Sequence, residues 1–229
     1  QGELTISGCE FSTNSASEGQ AIYGTGSSEQ FILTNTNFNN NVNLHLNSDQ
    51  YMIVLTSDTV DISHIEFSSN SQSQASYPIL FKGMSTLSNL PFNDVNSTYS
   101  AILVIPSSQV SNSFDNVSFI NCYAHDSIIH TKGNFDYSNS KIIFDQHSDV
   151  KAFKLENGQN IRLDTIEITN CGCGVSVEQS VESSSIENCY FMDCYNSNSA
   201  LFVVTISNQK CVFSHNIINF TTNEQSMKG

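Results

Sequence analysis

Basic residues are scarce. The 229-residue chain holds 8 lysines and arginines against 22 aspartates and glutamates, and Arg162 is its only arginine. A formal net charge of −14 leaves nothing with which to neutralise a row of phosphates, which argues against nucleic acid as a partner. Long apolar runs are missing too: no stretch of about 18 apolar residues is present, so no spanning helix is expected. Gln1 opens directly on a strand-like segment with no signal peptide before it, which points to a processed chain or a piece of a longer one. There is no sustained helical periodicity. Apart from the neighbourhood of Asn157-Gly158, there is also no hairpin signal of the kind an antiparallel sandwich or propeller would need. Charged residues are only 13% of the chain, about half the usual share. With so much Ser and Asn, that deficit alone would fit disorder. However, 38% hydrophobic and 10% aromatic residues, periodically placed, suffice for a core.

What is present is a repeat. Ile6 to Asn14, centred on Phe11, returns around Phe38, Phe67, Phe92, Phe119, Phe144, Ile168 and Phe191, and more weakly around Phe213. By subtraction the spacings are 27, 29, 25, 27, 25, 24, 23 and 22 residues, a period that signals a solenoid. Each copy alternates with period two into its central residue, as in Cys9-Glu-Phe11 and Val117-Ser-Phe119, which is strand spacing. A second apolar piece follows most copies, for example Ala101 to Val104 and Ala152 to Leu155. The expectation is an all-β fold: a parallel β-helix of about nine coils with 22–29 residues each, forming a single domain over residues 1–229.

Phe11-Ser-Thr-Asn14, Phe38-Asn-Asn-Asn41, Phe67-Ser-Ser-Asn70 and Phe220-Thr-Thr-Asn223 resemble the Phe-x-x-Asn repeat of the polymorphic outer membrane protein (Pmp-like) β-helix family. Gly19-Gln-Ala-Ile22 approaches that family's companion Gly-Gly-Ala-Ile motif. The resemblance implies a right-handed parallel β-helix, exposure at or outside the cell surface, and a structural or adhesive role. The partners it implies are glycans or host and cell-surface proteins.

Four residues past each centre, counting it as the first, the chain reads Asn14, Asn41, Asn70, Val95, Cys122, His147, Cys171, Cys194 and Asn216. Stacked side chains here would form a ladder that satisfies the turn leaving the strand. Cys122, His147, Cys171 and Cys194 are consecutive in it. A straight column with steps of about 4.8 Å places its outer members too far apart for tetrahedral zinc, so neither metal nor cofactor is expected. Adjacent-coil disulfides are geometrically open for Cys171 with Cys194 and for Cys189 with Cys211; buried thiols are the other reading. An odd total of seven cysteines leaves at least one thiol over in any secreted form. Sequons at Asn96, Asn116 and Asn219 are candidate glycosylation sites.

Acid–base chemistry on a β-helix needs convergent carboxylates. Asp164, Glu167 and Glu187 form the one acidic set to test, with a solvated acidic face as the alternative. The chain lacks the Asn-Thr-Asp, Asp-Asp, Gly-His-Gly and Arg-Ile-Lys motifs of polygalacturonases. Terminal coils expose unpaired strand edges, so stacking on other copies or on further coils is expected at both ends.

Overall fold

The computed structural model describes residues 3–16, 21–25, 30–39, 42–43, 53–56, 59–68, 79–81, 84–93, 100–104, 111–177, 181–195, 200–204 and 210–220. All regular structure among them is β-strand, and the pairings are parallel. Parallel neighbours along the sheet are non-consecutive in sequence wherever a strand meets its counterpart one repeat later. That is the wiring of a parallel solenoid.

One wall is built from Glu3–Ser7 with Glu10–Ser12, then Gln30–Asn39, Thr59–Ser68, Met84–Asn93, Ser111–Ile120, the first parts of Asn134–Leu155 and Asn160–Val177, Ser183–Glu187 with Tyr190–Met192, and Lys210–Ser214 with Ile217–Asn219. A second wall comprises Ile22–Thr25, Ile53–Thr56, Ile79–Phe81, Ser100–Val104, Ser127–Thr131, the ends of the two long strands, and Phe202–Val204. The described residues support about five turns rather than the expected nine coils. In the part before Ser111, much of the chain joining the walls (17–20, 26–29, 44–52, 69–78, 94–99 and 105–110) lies outside them.

The first wall is bent at one repeated position. Gly8, Asn35, His64, Asn89, Asn116, Asn139, Thr165, Asn188 and His215 all have positive φ, from 49° to 64°. Each stands one residue after a register-paired column of Ser7, Thr34, Ser63, Ser88, Asp115, Ser138, Asp164, Glu187 and Ser214. Left-handed backbone suits glycine and, among other residues, asparagine best, and five of the nine positions are Asn. Before and after the bend, side chains alternate between core and solvent. Leu33, Ile62, Leu87, Phe114, Tyr137, Leu163 and Ile186 fill one buried column, and Phe38, Phe92, Phe119, Ile142, Ile168 and Phe191 fill another. Phe92 and Phe119 stack with centroids 4.6 Å apart. Tyr137, also fully buried, keeps its hydroxyl satisfied by donating to the Val117 carbonyl.

Two expected core positions are corrected by this register. Ile142, not Phe144, is the register mate of Phe119 and Ile168. The bend at Asn139 sets the strand, and the irregularity between Ile143 and Ser148 absorbs the difference. Phe144 is still buried, two residues further on. Likewise Ile218, not Phe213, is the mate of Phe191, while Phe213 pairs with Ile186 and is 47% exposed. Phe11 is half-buried against Phe38, with ring centroids 5.1 Å apart. The backbone of Phe67 holds its place in the column, between Phe38 and Phe92.

Candidate functional site

The outward columns beside the bend carry the acidic set found in the sequence. Asp164 and Glu187 are register mates in adjacent strands, and Glu167 follows three residues after Asp164. Arg162 Nη2 lies 2.6 Å from Asp164 Oδ2, and its Nη1 reaches Asp136 Oδ1 at 3.3 Å. Asp164 Oδ1 accepts hydrogen bonds from Asn188 Nδ2 at 2.7 Å and Thr165 Oγ1 at 3.2 Å. Glu167 pairs with Lys141 at 2.9 Å. Both oxygens of Asp164 are thus taken, and Glu167 faces a fixed cation. Neither is arranged as a free proton donor or acceptor for a substrate. The pairs are largely solvent-exposed and add little stability individually.

The same face holds a ladder missed in the sequence. Asn116 Nδ2 donates to Asn89 Oδ1 of the preceding turn at 2.8 Å, and Asn139 Nδ2 donates to Asp115 Oδ1 at 2.7 Å, where Ser138 Oγ also donates at 3.1 Å. These amides sit on the exposed bend, three residues before the core column of Phe92, Phe119 and Ile142. The signal was legible there: in the corrected register that column reads Gly, Asn, His, Asn, Asn, Asn, Thr, Asn, His.

The expected ladder past the aromatic is only partly realised. Asn14 is half-buried, Asn41 and Asn70 lie outside the described residues, and His147 is described in its backbone alone. Cys122 and Cys194 reach back one turn: their Sγ atoms lie 3.3 Å from the Phe92 carbonyl oxygen and 3.4 Å from that of Ile168. Asn216 also bridges turns, but from another column. Its Nδ2 donates to the Ile186 carbonyl at 2.8 Å, and its Oδ1 accepts from the Cys189 N–H at 2.8 Å. The pairing of Cys189 with Cys211 is ruled out by register, because Cys211 is the mate of Ser184 while Cys189 stands against Asn216. Burial pushes the Cys189 thiol up to about 11. None of the seven cysteines is in a disulfide here; Cys9 and Cys211 are exposed and the others buried. Among the described residues no cluster of three or more His, Cys, Asp or Glu side chains could hold a metal ion. Of the sequons, Asn116 and Asn219 are exposed, and Asn96 lies outside the described residues.

A second polar cluster lies on the other wall. His130, 5% exposed, has Lys154 as its register mate one turn on. Its Nε2 is 3.2 Å from Glu156 Oε2 but poorly directed, so neither ring nitrogen has a hydrogen bond of good geometry. Lys154 lies 3.2 Å from Asp126 and 3.5 Å from Glu156, Lys151 lies 3.5 Å from Asp126, and Lys132 lies 3.9 Å from Glu156. Burial lowers the pKa of His130 from 6.5; Glu156 opposes this, and Lys154 and Lys132 reinforce it. Burial works against the charge of Glu156, yet His130, Lys154 and Lys132 together hold its carboxyl below the ordinary range. The unfolded chain therefore takes up protons first at both residues, and their contribution to stability is lost as pH falls. Thermal unfolding followed from pH 8 downward should show stability declining as pH drops below about 6.5. His130→Gln should flatten that first decline and also weaken the later one, because His130 is the largest of the influences that lower Glu156.

The arrangement defines an all-β parallel solenoid with polar, internally paired outer columns. Comparisons with family models, with curated proteins and with solved structures find no match. No helix among the described residues is long and apolar enough to cross a membrane.

Proposed function

We propose that this chain is a non-catalytic structural or adhesive solenoid module of an extracellular or cell-surface protein, of the right-handed kind that its Phe-x-x-Asn repeats resemble. One observation carries the reading: the outward carboxylates of Asp164, Glu167 and Asp115 are each engaged by a neighbour within the ladder. Arg162 and Asn188 hold Asp164, Lys141 holds Glu167, and Asn139 holds Asp115. A face so arranged presents a regular polar surface rather than a reaction centre.

The full count of nine coils belongs to this reading, supported by register pairing that passes from Phe11 through Phe38, Phe67, Phe92, Phe119, Ile142, Ile168 and Phe191 to Ile218. So does stacking on other copies or on further coils. It is supported by Leu4 and Ile218, 50% and 44% exposed, which stand in columns whose inner members are buried. The partners proposed are glycans or cell-surface proteins.

A carbohydrate-active enzyme or lectin is the second reading, favoured by the adjacency of Asp164 and Glu187. Turnover assays on uronate and neutral polysaccharides, beside a glycan array, separate the two. The expected result is no cleavage by the native chain. Cleavage that disappears in the combined variant Asp164→Asn, Glu167→Gln, Glu187→Gln would overturn the first reading.

A further inference from the structure

Cys171, Cys173 and Cys194 bring three thiols to one corner of the solenoid, each no more than 1% exposed. Cys171 follows Ile168 by three residues and Cys194 follows Phe191 by three, and Ile168 and Phe191 are register mates in adjacent strands. The two cysteines therefore occupy the same place in successive turns, one strand spacing of about 4.8 Å apart. That spacing falls within the Cα separations that disulfides span.

The Cys194 side chain leans toward the preceding turn. Its Sγ is 3.4 Å from the Ile168 carbonyl oxygen there and 3.4 Å from that of Met192 in its own turn. Each of the Cys171 and Cys194 thiols also acts on the other's proton, raising Cys171 and lowering Cys194. Gly172 allows this corner to close, because a Cβ there would come within 2.7 Å of the Asp149 backbone. Cys122 reaches back in the same manner, to Phe92, but the equivalent position one repeat earlier is Val95. A paired sulfur stands only behind Cys194.

We propose that Cys171 and Cys194 are a latent inter-turn disulfide, closed by exchange with a small-molecule disulfide such as oxidised glutathione. The Cys194 thiolate attacks one glutathione sulfur, breaking its S–S bond and releasing one glutathione thiolate. The Cys171 thiolate then attacks the Cys194 sulfur of the mixed disulfide and releases the second glutathione thiolate. The two cysteines are oxidised, one glutathione disulfide is reduced to two thiols, and the protons of the cysteines pass to the leaving thiolates. Because both thiols are buried, exchange occurs through local opening of the turn or before it closes in folding. The bridge would staple one turn to the next.

The test uses the full, reduced chain. Iodoacetamide is applied first under native conditions and should mark Cys9 and Cys211, the two exposed thiols. The sample is then incubated with or without oxidised glutathione, denatured and treated with a second alkylating reagent. Of the seven cysteines, seven less two leaves five for the second reagent without oxidant, and five less two leaves three after oxidation. Peptide mapping should recover Cys171 linked to Cys194, and Tm should rise in a manner reversed by dithiothreitol. Cys173→Ser should leave the bridge intact, whereas Cys194→Ser should abolish it. Five free thiols after oxidation, or a link that uses Cys173 or Cys189 instead, would overturn the proposal. The mapping is done on the native sequence and does not depend on any variant folding.

Discussion

Phe119→Ala is expected to cost about 3–5 kcal/mol of folding stability, the usual range for emptying a fully buried aromatic site. Phe213→Ala should cost about 1 kcal/mol or less. Phe119 is 1% exposed and stacked on Phe92, so truncation opens a cavity between two turns that cannot collapse without moving both strands. Phe213 is 47% exposed and retains one close ring neighbour, Phe202, at 4.6 Å. Denaturant midpoints for the two variants, taken with the slope of each transition, check the contrast. Equal losses would mean that the two residues share one core column, as their spacing in sequence suggests, and that the register described here is wrong.

Asn139→Val should be the next most damaging change, at about 2–3 kcal/mol. Part of this is the cost of about 1–2 kcal/mol of left-handed backbone for a residue with a Cβ, which is worse for a β-branched one. The rest is the lost hydrogen bond to Asp115, about 0.5–1.5 kcal/mol. The backbone at Asn139 has φ 49°, and its amide lies 2.7 Å from Asp115 Oδ1. Asn139→Gly removes the same hydrogen bond but relieves the backbone, so its cost should fall below about 1 kcal/mol. Gly8 already occupies the equivalent position in the first strand pair. Urea unfolding of the two variants separates a conformational role for the column from a purely hydrogen-bonding one. If Gly proved as harmful as Val, backbone conformation would not be what selects Asn at the bend.

Much of the wall was legible as a column pattern. At Phe38, Phe92, Phe119, Ile168 and Phe191, counting aromatics and alternating residues places the side chain in the core, where the structure has it. The count fails where apolar residues are crowded. In Ile142-Ile143-Phe144 the aromatic is two residues late, and in Phe213 to Ile218 it is five early. In both places hydrophobicity offers two registers of similar appeal, and the left-handed residue, Asn139 or His215, sets which one is used.

The slip at Ile142 also hid chemistry. It sets Ile143 beside Glu167, where the register in fact places Lys141, the cation that holds that carboxylate. The adjacency of Asp164 and Glu187 was legible in sequence; the pairing of Asp164 with Arg162 and Asn188, and of Glu167 with Lys141, was not. The lysines gathered about His130 were not legible for a different reason. They come from two segments of the second wall, and only inter-turn pairing brings Asp126, Glu156 and Lys154 together.

The most direct test of the in-register parallel ladder is a single distance. Thr34 and Glu187 are joined by six register steps, through Ser63, Ser88, Asp115, Ser138 and Asp164. With about 4.8 Å per step, spin labels at these two sites, in a background where Cys9 and Cys211 are serine, should give one narrow pulsed electron–electron resonance distance near about 29 Å. A separation below about 20 Å, or a broad distribution without that maximum, would contradict the ladder.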